Sequence, residues 1–530
     1  MKKLNLLILF FITNLSALFA QTYVKHDATG ANDGTSWSNA YTNLQVAINN
    51  SGSGDQIWVA AGTYKPAESP DASASSDMRS WCFYLNEDIK LYGGFSGTES
   101  TLSERDFIVN ETILSGEIGN TANFSDNSNH VFIVSSTSEE ALLDGFTVTH
   151  GNAKGGTLIH YEDELFSSQY GGGISVIDAH VALKNLNIVE NRAFKGGGIF
   201  YRKATGTGGA GMVEIENVTF TNNIAEGINA GGGILITNAS ALITNAIFDG
   251  NRAEVQSSVG GVGGGLALVS SSYARLYNPV FYNNYAYNEG SAISTEDSEF
   301  TLFSGTFVSN ITTPVDLRTW SDDSYIYGSV FFNHESYDDV SGDLDLAYAS
   351  STYNASDSEY TNGEIDQATG HYTDLSSFTA DEIFVDIDNP KGEDNIWRTV
   401  DDGLMPKNGS PLLEAAGVTS GPYNYDVTGE FRFFNTQDLG AYENPGTLGV
   451  NDVALQQEPY KIYPNPTSLG YINIEFDEKI KIEIFDIVGK RINTIYPKTK
   501  KIDVSNLNKG VYLVKISGEN RTETKKIIIN

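Results

Sequence analysis

Basic and tyrosine side chains recur at matching places in the middle of this 530-residue chain. The sequence Asn-Arg-Ala occurs at Arg192 and again at Arg252, and Tyr285 takes the same place in a third copy. Such side chains could neutralise the carboxylates of an anionic ligand, or act as acid or base where their pKa suits the reaction. The ligand-binding candidates are Arg192, Arg202, Arg252 and Tyr285, and the catalytic candidates are Lys195, Arg252, Arg275 and Tyr273. The alternative is that these charges are solvated beside acidic neighbours.

Carboxylates also recur in the same part of the repeated sequence, at Glu190, Asp249, Glu254 and Glu289. Two carboxyl groups that flank a scissile bond are what glycoside hydrolysis requires. The chain has 67 Asp and Glu residues, so an accidental grouping is the alternative interpretation.

A second acidic group lies near the C-terminal end of the same region. Hard oxygen ligands at this density are typical of Ca²⁺ sites, although the spacing is not that of an EF-hand loop. The sequence predicts a calcium site here, and an exposed acidic loop is the alternative. The candidate ligands are Asp386, Asp388, Glu393, Asp394 and Asp401.

The elements that position these residues are repeated. One motif, an apolar residue followed three positions later by an asparagine, occurs five times. The apolar residues are Ile188, Phe220, Phe248, Phe281 and Phe307, and the matching asparagines are Asn191, Asn223, Asn251, Asn284 and Asn310. Short strands with alternating polarity lie between the copies, which recur about every 25 to 35 residues, as in a solenoid of parallel strands. We therefore expect the phenylalanines to stack inside, the asparagines to form a ladder at a bend, and the Gly triplets to occupy corners. A sandwich of hairpins would instead need regular Asn-Gly or Asp-Gly turns, which are largely missing.

Composition bounds the functions that are open to the protein. The formal net charge of −34 disfavours binding to nucleic acid or anionic lipid. The single Cys82 permits no internal disulfide. Residues 1–20 have two lysines, a short apolar run and small residues at the end, which predicts a signal peptide and export. We expect a monomer that does not span a membrane.

The stretches "GGGI" and "FTNN", with "YVKHDATGANDGTSWSNAYTNLQVAINN", "LYGGFSGTES", "NETILSGEIGN" and "LLDGFTVTHGNA", resemble exported β-helix proteins. The resemblance is to pectin-lyase-like, right-handed parallel β-helices with repeats of the polymorphic outer-membrane-protein type. "LQVAINN" is expected to cap the first coil as a short helix. Residues 383–417 and 426–443, here called the closing segment, resemble the end of such proteins and are expected to cap the C-terminal end.

The last 70 or so residues differ in composition and resemble a sorting domain of type IX secretion cargo. "YPNPTSLGYINIEF", "KIEIFDIVGKRI" and "IDVSNLNKGVYLVKI" are alternating strands, consistent with a β-sandwich of about seven strands. The fold class is all-β: a right-handed parallel β-helix followed by a small C-terminal β-sandwich. The predicted boundaries are a signal peptide at 1–20, the β-helix at 21–445, a linker at 446–456 and the sorting domain at 457–530.

The resemblance implies a surface protein that binds extracellular polysaccharide or mediates adhesion, and that meets the type IX secretion machinery through its C-terminal domain. It equally admits a polysaccharide lyase, in which a base abstracts a proton and a cation neutralises a uronate, or a glycoside hydrolase. A purely structural surface-layer component is a third alternative. A row of Tyr282, Tyr285 and Tyr287 could stack on sugar rings, or could simply stabilise the coil.

Overall fold

The computed structural model describes residues 21–121, 123–138, 141–156, 158–161, 164–203, 212–228, 230–254, 261–288, 290–311, 315–318, 324–333, 349–357, 372–416, 424–432, 437–444, 462–465, 467, 469–474, 480–486, 490–495, 497, 499–517 and 522–529. The chain divides into two compact units, at residues 1–445 and 446–530. The predicted signal peptide and linker lie outside the described residues.

Four parallel sheets run along the first unit, and each contains strands from successive turns of the chain. Sheet 1 comprises Gln21–Val24, Gln56–Ala60, Lys90–Phe95, Ala141–Asp144, Val181–Lys184, Met212–Glu216, Ser240–Thr244, Tyr273–Tyr277, Glu299–Phe303, Ser324–Tyr327 and Ala349–Thr352. Sheet 2 comprises Gly62–Tyr64, Thr112–Ser115, Thr147–Thr149, Asn187–Val189, Thr219–Thr221, Ile247–Asp249, Val280–Tyr282, Thr306–Val308, Val330–Phe332, Ala355–Ser356 and Thr373–Asp374.

The other two sheets are shorter. Sheet 3 comprises Phe83–Leu85, Phe132–Ser135, Ile174–Ile177, Ile199–Arg202, Ile234–Thr237, Leu266–Val269, Ile293–Glu296 and Val315–Arg318. Sheet 4 comprises Asn152–Ala153, Arg192–Ala193, Ile224–Ala225, Arg252–Ala253 and Tyr285–Ala286. The remaining elements of this unit are the antiparallel hairpin Leu158–Tyr161 and Glu164–Ser167, the α-helices Leu44–Asn49 and Ala380–Ile383, and the 3₁₀ turns Trp37–Asn39, Ala72–Ala74, Met78–Ser80, Leu102–Glu104 and Phe124–Asp126.

One turn of the chain visits sheets 3, 1, 2 and 4 in that order before the next turn begins. For example, Ile174–Ile177, Val181–Lys184, Asn187–Val189 and Arg192–Ala193 form one turn, and Ile199 starts the next. Corresponding strands pair in parallel, so each turn is a rung stacked on its predecessor. This is the predicted parallel β-helix.

The interior is a column of stacked rings. The inward residues of sheet 2 are in register from Phe220 to Phe331, and all are fully buried. Neighbouring ring centroids are 4.5 to 5.0 Å apart with nearly parallel planes. The predicted phenylalanine stack is therefore confirmed, and it extends one rung beyond Phe307.

The predicted asparagine ladder lies at the bend between sheets 2 and 4. Asn191, Asn223, Asn251, Asn284 and Asn310 are all fully buried. The side-chain oxygen of each later asparagine accepts bonds of 2.9 to 3.1 Å from the backbone N–H and amide Nδ2 of the one before. The ladder satisfies backbone groups that the bend would otherwise leave unpaired.

Glycine is required where the chain turns from sheet 4 to sheet 3. Gly231 has a φ of 60°, which disfavours other residues. A Cβ on the adjacent Gly232 would collide with the carbonyl oxygen of Gly264 in the next rung. The Gly triplets therefore let successive rungs approach each other at this corner.

The short helix predicted at "LQVAINN" is present beside the first rungs. Asn43 is the N-cap of helix Leu44–Asn49, and its side-chain oxygen accepts from the N–H of Val46 at 3.2 Å. Leu44, Ala47 and Ile48 are buried in the same core cluster as the first rungs.

The closing segment packs along the side of the coil, whereas the sequence predicted a cap at its C-terminal end. The first outward residue of each sheet 2 strand is Thr147, Asn187 and Thr219 in the early rungs, and Ile247, Val280 and Val330 in later rungs, with Thr306 as the exception. The closing segment covers this apolar face, because its own apolar residues are buried in the same cluster. The members from sheet 2 are Ile247, Val280, Val308 and Val330, and those from the closing segment include Phe384, Trp397, Leu404 and Leu412.

The second unit contains seven described antiparallel strands in two sheets. One sheet comprises Ile462–Tyr463, Tyr471–Ile474 and Lys501–Asp503, and the other comprises Lys481–Asp486, Arg491–Ile495, Gly510–Ser517 and Thr522–Ile529. Alternate residues such as Ile472, Ile482 and Val514 are buried in one cluster. The predicted small β-sandwich is confirmed.

Candidate functional site

A cleft of about 790 Å³ lies on the outer face of sheet 2, where the early rungs are not covered. Its floor is formed by outward residues of three successive rungs: Thr147 and Thr149, Asn187 and Val189, and Thr219 and Thr221. Adjacent strands are about 4.8 Å apart, so these rungs span about 10 Å of floor. The floor is mostly polar, and its hydroxyls and amide point away from the core.

Two separate parts of the chain form opposite walls. Phe107, Ile108 and Glu111 come from a loop before the second strand of sheet 2. Residues 395–399 and 427–429, with Lys391, come from the closing segment. Thr147 donates a 2.7 Å hydrogen bond to Glu111, which ties the first wall to the floor.

The rim of the cleft is apolar on both sides. Ile108 is 60% exposed, and Phe107 and Ile396 are also exposed. The Arg105 guanidinium lies between the rings of Tyr92 and Phe107, at 5.2 and 5.7 Å from their centroids, and so supports the Phe107 ring. The cleft thus combines a hydrogen-bonding floor with apolar edges.

A second asparagine ladder borders the floor at the corner between sheets 1 and 2. Asn185, Asn217, Asn245 and Asn278 have φ values near 50° and are linked by amide–amide bonds of 3.0 to 3.2 Å. The first three line the cleft. Asn tolerates this left-handed conformation better than most residues, which explains its repetition here.

The closing segment is attached to the outer face of sheet 2 through polar contacts. Arg398 donates from Nη1 to Thr219 at 3.0 Å, and Trp397 donates from Nε1 to Asp249 at 3.1 Å. Lys391 forms an ion pair of 2.9 Å with the same Asp249 carboxylate. Burial lowers the pKa of Arg398 to about 10, opposed by nearby Tyr442 and Asp402, so its guanidinium stays charged at neutral pH.

Asp402 is fully buried within the closing segment and contacts the backbone of Arg398. Its carboxylate accepts bonds of 2.9 Å from the Tyr442 hydroxyl and from the backbone N–H of Arg398. Burial nevertheless raises the pKa of Asp402 to about 6, because these bonds only partly offset the loss of solvent.

Raising the pH from about 4 to about 7 is expected to weaken the closing segment through Asp402. Between pH 3.8 and about 6, the Asp402 carboxyl group is protonated in the folded segment and ionised in the unfolded chain. The contribution of this protonation to the free energy of unfolding is complete below the unfolded pKa. It is lost as the pH rises through about 6, and the total loss is up to about 3 kcal/mol. Hydrogen exchange of residues 396–405 should show Asp402→Asn gaining stability relative to wild type as the pH rises. A difference that is independent of pH would contradict this assignment.

His150 and Glu190 form the corner of the cleft towards sheet 4. The His150 Nε2 lies 3.8 Å from the Glu190 carboxylate, and its Nδ1 is 2.8 Å from the Thr149 hydroxyl. The His150 ring stacks on Phe124 at 5.4 Å, and Arg192 covers the same Phe124 ring at 4.7 Å.

The predicted basic residues of sheet 4 are two rungs apart, as expected, with Ile224 between Arg192 and Arg252. They lie outside the lining of the cleft. Arg252 stacks on the Tyr285 ring at 4.4 Å and donates from Nε to Glu254 at 2.7 Å, so neighbours in the coil partly neutralise its charge.

The remaining predicted residues are on other faces. Lys195 lies 5.9 Å from the Tyr170 ring, and burial lowers its pKa, opposed by Glu296. Arg202 is at the end of a sheet 3 strand, whereas Tyr273 and Arg275 are on sheet 1, where Arg275 donates to the Tyr273 hydroxyl at 3.3 Å. Of the four catalytic candidates, Tyr273 and Arg275 therefore lie together on sheet 1, whereas Arg252 lies on sheet 4.

The predicted tyrosine row and the predicted hydrolase carboxylates are also not grouped in one place. Tyr282 packs against Trp397 beneath the closing segment, while Tyr287 is exposed, so Tyr282, Tyr285 and Tyr287 form no single row. Of the carboxylates, Glu190 lines the cleft and Asp249 binds Trp397 and Lys391. Glu289 lies outside the described residues.

The acidic group of the closing segment makes backbone contacts. Asp386 accepts from the N–H of Asp388, and Asp401 accepts from the N–H groups of Glu393 and Asp394. Such bonds to backbone amides stabilise a turn-rich loop without an ion. The calcium prediction for this loop stays a prediction.

Sequence reasoning missed the cleft residues Glu111, Lys391, Trp397 and Arg398. A partial signal was present: the first outward residue of each sheet 2 strand changes from Thr or Asn to Ile or Val at Ile247, apart from Thr306. That change separates the open part of the sheet from the covered part.

The C-terminal part of the chain matches a known protein family. The family described as the secretion system C-terminal sorting domain matches residues 461–530. The C-terminal unit therefore indicates export to the cell surface or secretion, and involvement with the type IX secretion machinery. Within the described residues, no helix has the length and apolar character needed to cross a membrane.

The β-helix has more distant similarities. The probable autotransporter YfaL of Escherichia coli (strain K12) is 26% identical over 334 residues, which are 60% of this chain and 24% of that protein. The chain thus spans about a quarter of the length of this relative. The crystal structure of pectate lyase Pel9A is similar with a TM-score of 0.45 and 13% identity, over 80% of this chain and 97% of that chain.

Proposed function

We propose that this exported β-helix protein binds a short length of extracellular polysaccharide in the cleft on sheet 2, and that this binding mediates adhesion. The observation that carries the proposal is the cleft itself, with its polar floor and apolar rim. Sugar rings match both features, because they present hydroxyl groups at their edges and C–H groups on their faces.

The floor supports recognition of hydroxyl groups. The side chains of Thr149, Asn187 and Thr221 are outward on consecutive rungs and line the cleft. Repetition of similar groups along the stack suits a ligand that is itself a repeating chain. The floor length of about 10 Å corresponds to about two sugar rings.

The rim supports contact with sugar faces. Phe107 is exposed and held by Arg105, and Ile396 faces the cleft from the opposite wall. An aromatic ring held in place by its neighbours loses little conformational freedom on binding. Phe107 is therefore the aromatic residue on which a sugar would pack.

Replacing Phe107 with alanine is expected to weaken polysaccharide binding about 5- to 10-fold, because one aromatic contact contributes about 1 kcal/mol. The measurement is titration calorimetry with a ligand selected from a panel of neutral and uronic-acid-containing glycans. Phe378→Ala is the matched control, because Phe378 is similarly exposed but lies outside the cleft.

Equal losses in the two variants, or an unchanged affinity in Phe107→Ala, would contradict the proposal. Failure of every glycan in the panel to bind would favour the structural surface-layer alternative. The same incubations test the lyase and hydrolase alternatives, because unsaturated or reducing ends would appear in the products.

A further inference from the structure

Several buried oxygen atoms beneath the corner between sheets 2 and 4 have no hydrogen-bond partner. They include Oε1 of Glu117 and Oδ1 of Asp126, Asn127 and Asn152, and the neighbouring Ser128 Oγ and Asn129 Oδ1 are also unpaired. Asn127 is fully buried, and Asn152 and Glu117 are only 5% and 8% exposed. Leaving a buried acceptor unpaired is unfavourable, so four in one region indicate a missing partner for them.

Backbone contacts bring the three segments that carry these oxygens together. Ser128 donates to the carbonyl of Gly116 at 2.9 Å, and Asn152 donates to the carbonyl of Ser128 at 2.8 Å. Arg79 joins the same segments, since Nε donates to the Asn127 carbonyl at 3.1 Å and Nη2 to the Asn152 carbonyl at 2.7 Å. The second Asp126 oxygen accepts from the N–H of Asn120 at 2.9 Å.

The orientation of both amides is fixed by what their nitrogens bind. Nδ2 of Asn127 donates to the His150 carbonyl at 2.8 Å, and Nδ2 of Asn152 donates to the Phe124 carbonyl at 2.6 Å. Oδ1 is therefore the unpaired atom of Asn127 and of Asn152, and these two oxygens, like those of Glu117 and Asp126, can only accept while the carboxyl groups are ionised. A single water molecule has two protons to donate, whereas Ca²⁺ accepts six to eight oxygen ligands.

We propose that this corner is a Ca²⁺ site in which Glu117 and Asp126 supply carboxylates and Asn127 and Asn152 supply amide oxygens. It is distinct from the acidic loop at Asp386–Asp402. Among the described residues, no three His, Cys, Asp or Glu side chains form a metal-binding group. The corner instead combines two carboxylates with neutral carbonyl oxygens, a set that suits Ca²⁺ better than a transition metal.

The ion would order one side of the cleft. Asp126 ends the 3₁₀ turn Phe124–Asp126, and the Phe124 ring stacks on His150, which lines the cleft. Bound Ca²⁺ therefore fixes the turn against which His150 packs. This role does not depend on which ligand the cleft binds.

The experiment uses the full-length exported chain after treatment with a chelator. Titration calorimetry with CaCl₂ and thermal unfolding with and without CaCl₂ are measured on wild type and on Glu117→Gln/Asp126→Asn. Saturating Ca²⁺ is expected to raise the Tm of wild type by about 3–6 °C, and the double variant is expected to lose at least about 100-fold in affinity. The matched control Asp388→Asn/Glu393→Gln carries the same charge change in the acidic loop and is expected to retain binding.

Absence of Ca²⁺ binding by wild type would overturn the proposal. So would binding that survives in the corner variant and disappears in the control. If the corner variant does not fold, Tb³⁺ soaked into wild-type crystals decides the question. An anomalous peak is expected beside the Glu117 and Asp126 carboxylates, and a peak confined to the acidic loop would overturn the site.

Discussion

Replacing Phe248 with alanine is expected to lower the free energy of unfolding of the β-helix by about 3–5 kcal/mol. Phe248 is fully buried and stacks between Phe220 and Phe281, with centroid distances of 4.7 and 4.5 Å. The variant loses the apolar burial and both ring contacts, and neighbouring rungs cannot collapse into the space because their strands remain paired. Chemical denaturation followed by circular dichroism measures the effect.

Phe378→Ala is the control for this prediction as well, and it should change stability by less than about 0.5 kcal/mol because Phe378 is on the surface. A Phe248→Ala variant as stable as this control would mean that the rings do not form a packed column.

Replacing Asn251 with alanine is expected to cost about 3–5 kcal/mol, since two buried backbone groups lose their partners. The Asn251 oxygen accepts from the backbone N–H of Asn223 at 3.1 Å, and its Nδ2 donates to the carbonyl of Phe220 at 2.8 Å. Neither group has access to water, because the ladder is fully buried. The readout is the midpoint of thermal unfolding by calorimetry.

Asn187→Ala provides the matched control, because Asn187 is exposed on the cleft floor in the same rung as the ladder residue Asn191. It should unfold within about 0.5 kcal/mol of wild type. Similar destabilisation by the two substitutions would show that the ladder is not the source of the stability.

The interior of the β-helix was predictable because each rung repeats the same chemistry. The positions of Phe220, Phe248 and Phe281 in the repeat are enough to place them in one column, whatever the loops between them do. The same holds for the asparagine ladder and for the spacing of Arg192 and Arg252. These features depend on register, which a repeated sequence specifies directly.

The candidate site was less predictable because it depends on contacts between distant parts of the chain. Arg398 and Thr219 are 179 residues apart in the sequence, yet Arg398 in the wall donates a hydrogen bond to Thr219 on the floor. From the repeat we predicted ligand-binding residues at the corner of Arg252 and Tyr285, but there the two side chains contact each other. The repeat did not reveal that the closing segment turns back along sheet 2 and forms a wall there.

The most direct test of this account is a crystal structure with a bound oligosaccharide taken from the best ligand of the glycan panel. The account predicts sugar rings above Thr149, Asn187 and Thr221, with one ring face against Phe107. An oligosaccharide bound instead at the corner of Arg192, Arg252 and Tyr285, with the sheet 2 cleft unoccupied, would contradict it.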